Sequence, residues 1–254
     1  MLDENRFDRQ LNRREFLKTG LAGICGFCMA GNIACTPETE PVEQTLPHLA
    51  QKGFVKPVPA AWFSGLEADI VRCELCPNLC ELAAGERAPC RVRENRGGTG
   101  YTLAYSNPAL IQEDPVERKP FFHVTPGSRA LSISTAGCNL ACEFCEVWDM
   151  ALVAPEEVFA YDMPPEKVVA HALASDVRAV SYAFGEPVVF YEYMAEIATL
   201  AKDAGLLNLI HTAGYIQPEP LQELCGVLDA ANVDLKSFDL SFTARLSVAS
   251  CNQC

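Results

Sequence analysis

The sequence predicts an α/β protein, a parallel sheet or barrel preceded by a small cysteine-rich module. Three observations carry that expectation. Between residues 130 and 236, four short apolar runs alternate with stretches of helical periodicity. Each apolar run ends in glycine or polar residues, which gathers a polar rim along one edge of the sheet, where ligands collect in parallel α/β folds. Seven of the 13 cysteines fall at 73, 76, 80, 90 and at 138, 142, 145, with the close spacing of metal sites rather than the scatter of a disulfide framework.

The chain opens on an address. Asn12-Arg13-Arg14-Glu15-Phe16-Leu17-Lys18 is a twin-arginine pattern leading into an uncharged stretch over residues 19–36. That stretch is too short and too weakly apolar for a membrane span, so residues 1–36 are expected to form a twin-arginine export signal, a route that carries folded proteins. The plain alternative is the start of a basic amphipathic helix. Ile33-Ala34-Cys35 offers a lipid anchor, although Asn32 stands where a lipoprotein site usually has Leu; Cys25 and Cys28 read as small hydrophobes inside the stretch. Residues 37–59 turn to Pro, Glu, Thr and Gln and are expected to be a linker.

Residues 60–100 form the expected four-cysteine module. Cys73-Glu74-Leu75-Cys76-Pro77-Asn78-Leu79-Cys80 followed by Cys90 supplies four thiols, enough to close a tetrahedron around zinc, or to hold an accessory iron–sulfur cluster; spacing does not decide between them. Arg87, Arg91, Arg93 and Arg96 make the one locally basic patch, read as a solvated face.

The main domain is placed over residues 101–242. A short alternating strand is expected at 101–105 and a first buried strand at 130–135, with Cys138-Asn139-Leu140-Ala141-Cys142-Glu143-Phe144-Cys145 on the loop after it. Pro164-Pro165-Glu166 suits a first helical turn, continuing to Ala174. A second strand over 179–184 ends in Gly185-Glu186-Pro187; a helix over 191–204 is capped by Gly205. A third strand over 206–212 ends in Ala213-Gly214, a short helix covers 221–228, and a fourth strand over 231–236 has Asp234 and Lys236 near its end. His123, alone before a strand, reads as a hydrogen-bonded structural residue ahead of a ligand or base. Repeated βα units imply right-handed crossovers in one parallel sheet.

Charge excludes one class of partner. With 20 basic against 33 acidic residues the formal charge is −13, which repels a phosphate backbone, so nucleic acid is not expected to bind. An apolar content of 49% is that of a globular chain with a real core. The CxxxCxxC spacing lets three thiolates converge on one face of an iron–sulfur cubane and leave its fourth iron open. The bland alternative is three structural cysteines or part of a zinc site.

Several stretches together resemble a family. Cys138-x3-Cys142-x2-Cys145 after a first strand, with Gly185-Glu186-Pro187 after the second, resembles the radical S-adenosylmethionine (SAM) enzymes. Four stretches are similar, more narrowly, to the enzymes related to pyruvate formate-lyase activating enzyme, in the branch associated with AmmeMemoRadiSam systems. These are residues 73–93, Glu117-x-Lys119-Pro120-Phe121-x-His123-x-x-Pro126-Gly127, Phe184-Gly185-Glu186-Pro187-x3-Tyr191-Glu192-Tyr193, and residues 229–238 ending in Asp234-Leu235-Lys236-Ser237-Phe238. The resemblance implies a partial (β/α) barrel and a [4Fe-4S] cluster on Cys138, Cys142 and Cys145 whose open iron chelates S-adenosylmethionine. Reductive cleavage would then give a 5′-deoxyadenosyl radical for hydrogen abstraction. It further implies Gly185 and Glu186 at the cofactor's amino group, Asp234 and Lys236 at its carboxylate or ribose, and Thr212 and Gly214 lining the rim; the plain alternative for Asp234 and Lys236 is a surface ion pair, and for Glu186 a solvated loop acid.

Relatives of this kind continue through two more strands. Here the family pattern ends near residue 242, and residues 243–254, with Cys251 and Cys254, depart from it, so a core truncated after about four strands is expected. The expected function is a radical SAM enzyme served by a low-potential electron donor and acting on a protein substrate, including a glycyl-radical partner. The competing expectations are a non-catalytic iron–sulfur or metal protein and an inactive fragment. The twin-arginine pattern points to an exported protein, periplasmic or membrane-associated through the signal or a lipid anchor; the low-potential chemistry points instead to the cytoplasm.

Overall fold

A computed structural model describes residues 50–236 and Phe238. The twin-arginine segment, Cys25, Cys28, Cys35, most of the expected linker and the departing tail lie outside the described residues. Among the described residues no helix is long and apolar enough to cross a membrane.

The strands are β1 (Gln51–Lys52), β2 (Val58–Pro59), β3 (Phe63–Gly65), β4 (Val71–Cys73), β5 (Glu81–Leu82), β6 (Arg93–Arg96), β7 (Thr99–Thr102), β8 (Leu110–Pro115), β9 (Arg129–Ser134), β10 (Phe159–Ala160), β11 (Ala179–Tyr182), β12 (Leu207–Thr212) and β13 (Ala230–Val233). The helices are α1 (Trp148–Ala151), α2 (Pro165–Ala174), α3 (Tyr191–Asp203) and α4 (Pro218–Cys225). The main sheet runs β13-β12-β11-β9-β8. β9, β11, β12 and β13 are parallel, with Tyr182 opposite both Ile133 and Ile210 and Thr212 opposite Val233, so all four C-terminal ends reach one rim. Among the described residues this sheet is open, not a closed barrel.

The pleat sorts the two faces. Leu131, Ile133, Val180, Tyr182 and Ile210 share a core with Val168, Val169 and Ala172 of α2 and Met194, Ile197, Ala198 and Ala201 of α3. Burying each large aliphatic side chain there contributes about 1.5–3 kcal/mol. The opposite face carries Ala130, Ala179 and Leu209 with Val116 and Phe121, and the buried Ser132, Ser134 and Ser181. Small residues on that face leave the rim hollow.

The structure departs from the sequence-based expectations in several places. β8, an acidic run paired antiparallel to β9 from Leu110↔Ser134 to Pro115↔Arg129, was not expected. Residues 51–52 and 58–59, inside the expected linker, pair with β10 and β7. The strand expected at 101–105 lies at Thr99–Thr102 and belongs to a separate sheet, β2-β7-β6. α4 starts three residues earlier than expected because Pro218 takes the first turn, where a missing N–H costs nothing. β13 ends at Val233, which leaves Asp234 and Lys236 in the loop beyond it. Of the basic patch, Arg87 and Arg96 are exposed, with Arg87 paired to Glu94 and Glu156, whereas Arg93 departs from a solvated face: it is 1% exposed and ion-paired to Glu192 of α3 at 2.7 Å.

Candidate active site

The site begins where β9 stops. Thr135, Ala136 and Gly137 lead off the strand, and Gly137 has φ +93° with its missing Cβ aimed at the Cys90 carbonyl and Val92 Cγ1, each 2.6 Å away. Only glycine fits that conformation and that approach. The next residues curl back, with the Leu140 N–H on Cys138 Sγ at 3.4 Å and the Cys145 N–H on the Cys142 carbonyl at 3.2 Å.

Cys138, Cys142 and Cys145 all line one cavity of about 650 Å³, within the range of cofactor sites. Gly185 and Glu186 from the end of β11, Thr212 from the end of β12, and Asp234 and Lys236 past β13 line it too. No fourth cysteine is among the lining residues. Among the described residues no three Cys, His, Asp or Glu side chains already stand closed on a metal position. The donor set still fits a cluster held by three thiolates with one iron open. Burial pushes the Cys138 thiol up to about 12, with the Glu186 charge adding to it. Cys142 is also raised by burial, against the pull of the Lys236 ammonium.

Glu186 is 5% exposed and accepts three hydrogen bonds. Its Oε1 accepts from Thr212 Oγ1 at 2.5 Å and the Val188 N–H at 3.2 Å, and its Oε2 accepts from the Ala213 N–H at 2.9 Å. Burial raises its pKa and these donors only partly offset that. Gly185 is required by contact: a Cβ there would stand 2.6 Å from Ser134 Oγ, which accepts the Gly185 N–H at 3.0 Å.

At the next strand end, Asp234 accepts from Lys236 Nζ at 2.7 Å and pairs with His211 Nε2 at 2.9 Å. Burial pushes its carboxyl up, but the Lys236 and His211 hydrogen bonds win and hold it below the usual value. Lys236, lowered by burial and raised more by Asp234, ends above its ordinary value. Gly214 does not line the cavity. Its φ is +70° and its N–H donates to Thr212 Oγ1 at 2.9 Å, so it supports Thr212 from behind.

Lining residues that spacing did not single out include His211, Arg118, Lys119 and Phe184. Lys119 is buried against Asp114 of β8, with its ammonium 4.5 Å from the Phe184 ring centre. Lys119 belongs to the stretch Glu117-x-Lys119-Pro120-Phe121, but its place at the cavity depends on β8, which has no apolar signature. His123 carries no hydrogen bond in the site.

The second cysteine set gathers elsewhere. Cys73, Cys76, Cys80 and Cys90 line a small void of about 20 Å³ together with Asn78, Arg93 and Asn139. Burial pushes Cys76 up to about 12 and raises Cys90.

Residues 132–248 match the radical SAM superfamily. An uncharacterised protein of Methanocaldococcus jannaschii is 36% identical over 177 residues, 70% of this chain and 53% of its own length. The 7-carboxy-7-deazaguanine synthase of Thermococcus kodakarensis is 25% identical over 127 residues, 43% of this chain and 50% of its own, and that of Methanospirillum hungatei is 31% identical over 93 residues, 37% of each. The chain spans about half the length, or less, of these curated relatives. Over residues 132–248, with three thiols on the loop after the first parallel strand, the chain is similar to the radical SAM superfamily.

Proposed function

We propose that the chain is a radical SAM enzyme that cleaves S-adenosylmethionine reductively to open hydrogen abstraction from a substrate. The observation that carries it is the single cavity in which three thiols, with no fourth, face the ends of three other parallel strands. Cys138, Cys142 and Cys145 would hold a [4Fe-4S] cluster, which would supply the electron for the cleavage and an open iron for the cofactor.

The residues around it divide the work. A carboxylate offers about four lone-pair positions. Glu186 has two filled on Oε1 and one on Oε2, so one position on Oε2 remains for an incoming ammonium. Thr212 fixes the carboxylate's rotation and is itself fixed by the Gly214 N–H. Lys236 spends one of its donors on Asp234 and has others to offer a carboxylate or ribose hydroxyl. Leu140, Phe144, Ala151 and Phe184 give the same space its apolar wall. A polypeptide hydrogen donor, including a glycyl-radical partner, is the finer proposal and rests on the four similar stretches. An external low-potential electron donor is needed in either case.

The test is anaerobic reconstitution of the full chain with iron and sulfide, then dithionite and S-adenosylmethionine. The expected result is 5′-deoxyadenosine and methionine in equal amounts. A reconstituted cluster whose spectrum ignores S-adenosylmethionine and that yields neither product would point to the non-catalytic reading instead.

A further inference from the structure

We infer that Cys73, Cys76, Cys80 and Cys90 bind one zinc ion rather than an iron–sulfur cluster, and that this centre clamps the CxxxCxxC loop through Asn78 and Asn139. Size is the first argument. The void shared by the four cysteines is about 20 Å³, near the space of one water-sized sphere, which suits a single ion. The walls are the second. Leu75, Ala88, Val188 and Val189 line the void beside the four cysteines, an apolar surround that suits a structural zinc site.

Local chemistry agrees. Zinc with four thiolates leaves two net negative charges in a buried place. Arg93, 1% exposed, stands on the same void; its Nη1 is engaged by Glu192, whereas its Nε has no hydrogen-bond partner. That buried cationic N–H is the complement such a centre requires. Among the described residues no three of these thiols stand closed on one position.

The link to the cluster loop is direct. Asn78, between Cys76 and Cys80, donates from Nδ2 to the Asn139 carbonyl at 3.1 Å and accepts from the Tyr215 hydroxyl at 3.2 Å. Asn139, next to Cys138, donates from Nδ2 to the Tyr215 carbonyl at 2.8 Å and lines the zinc void. The turn that Cys76 and Cys80 close around zinc is therefore the turn that holds Cys138's neighbour.

The full chain carrying Cys138→Ala, Cys142→Ala and Cys145→Ala isolates the centre. Its metal content by mass spectrometry is expected to be one zinc and no iron per chain, and cobalt in place of zinc is expected to show tetrahedral thiolate absorption. Adding Cys76→Ser or Cys90→Ser should cut zinc affinity at least tenfold; circular dichroism checks folding, and direct cobalt titration of the unmutated module stands if those variants fail to fold. Iron and sulfide in that background, or no metal bound to four reduced thiols, overturns the zinc assignment. The clamp rests on the cluster proposed at Cys138, so it is read in the otherwise native chain. Asn78→Ala should keep one zinc and lose iron at least threefold on gel filtration. Native chain without iron sinks the cluster; native chain with iron and an unchanged Asn78→Ala sinks the clamp alone.

Discussion

At Glu186 three donors converge on a carboxylate that burial disfavours as an anion. An amide in its place would set N–H against one of these donors, so the site is built for a carboxylate. Hydrogen bonds to charged groups contribute about 1.5–3 kcal/mol, so Glu186→Gln should weaken S-adenosylmethionine binding by about 10- to 100-fold. Equilibrium dialysis against the reconstituted chain reads this, with iron content unchanged. Asp234 tests pH. Its folded-state pKa is depressed by Lys236 and His211, so the group adds stability above the unfolded carboxyl's pKa of about 4, and that stability is lost as pH falls through the lower folded value. Its side chain is 39% exposed, so the effect is small and fades with salt. Acid titration of unfolding at low ionic strength should show this component in the native chain and not in Asp234→Asn.

Among elements, those that carried their own apolar pattern were legible and those that depended on a partner were not. β9, β11 and β12 are buried on both faces and read as continuous apolar runs, while α2 and α3 show helical spacing above that core. β8 has no such signature, because Gln112, Glu113 and Asp114 occupy a strand that pairs only with β9. Without β8 the pairing of Lys119, itself part of a similar stretch, with the buried Asp114 was not legible. The thiols were legible because ligand spacing is local, whereas His211 gains its place only when Asp234 reaches it from the next strand end. The cluster loop depends on Gly137 in a way that residue type alone did not reveal. Gly137→Ala meets both a left-handed backbone, which costs about 1–2 kcal/mol, and the Cys90 carbonyl at 2.6 Å. Denaturant unfolding should show a loss of about 2 kcal/mol or more, and the variant should retain less iron than the native chain.

On the scale of the whole molecule, the cysteine module and the parallel sheet are joined by contacts of the kind found inside domains. The buried Arg93 pairs with Glu192, the Gln217 N–H donates to the Leu75 carbonyl at 3.0 Å, Asn78 and Asn139 interlock, and Trp62 packs edge-on to Tyr191 at 6.1 Å. Removing one partner of a buried ion pair costs about 3–5 kcal/mol, so the two parts cannot separate without a large penalty. They should therefore unfold together. The chain has two tryptophans, Trp62 in the module and Trp148 in α1, so Trp148→Phe leaves a reporter confined to the module, while far-ultraviolet circular dichroism follows α2 and α3. In the reduced, zinc-loaded chain the two signals should share one denaturant midpoint, and Arg93→Met should move both midpoints down together. Fluorescence changing well before the circular dichroism would mean that the module opens by itself. Its hold on Asn139, and with it the clamp on the cluster loop, would then be lost under conditions in which the sheet still stands.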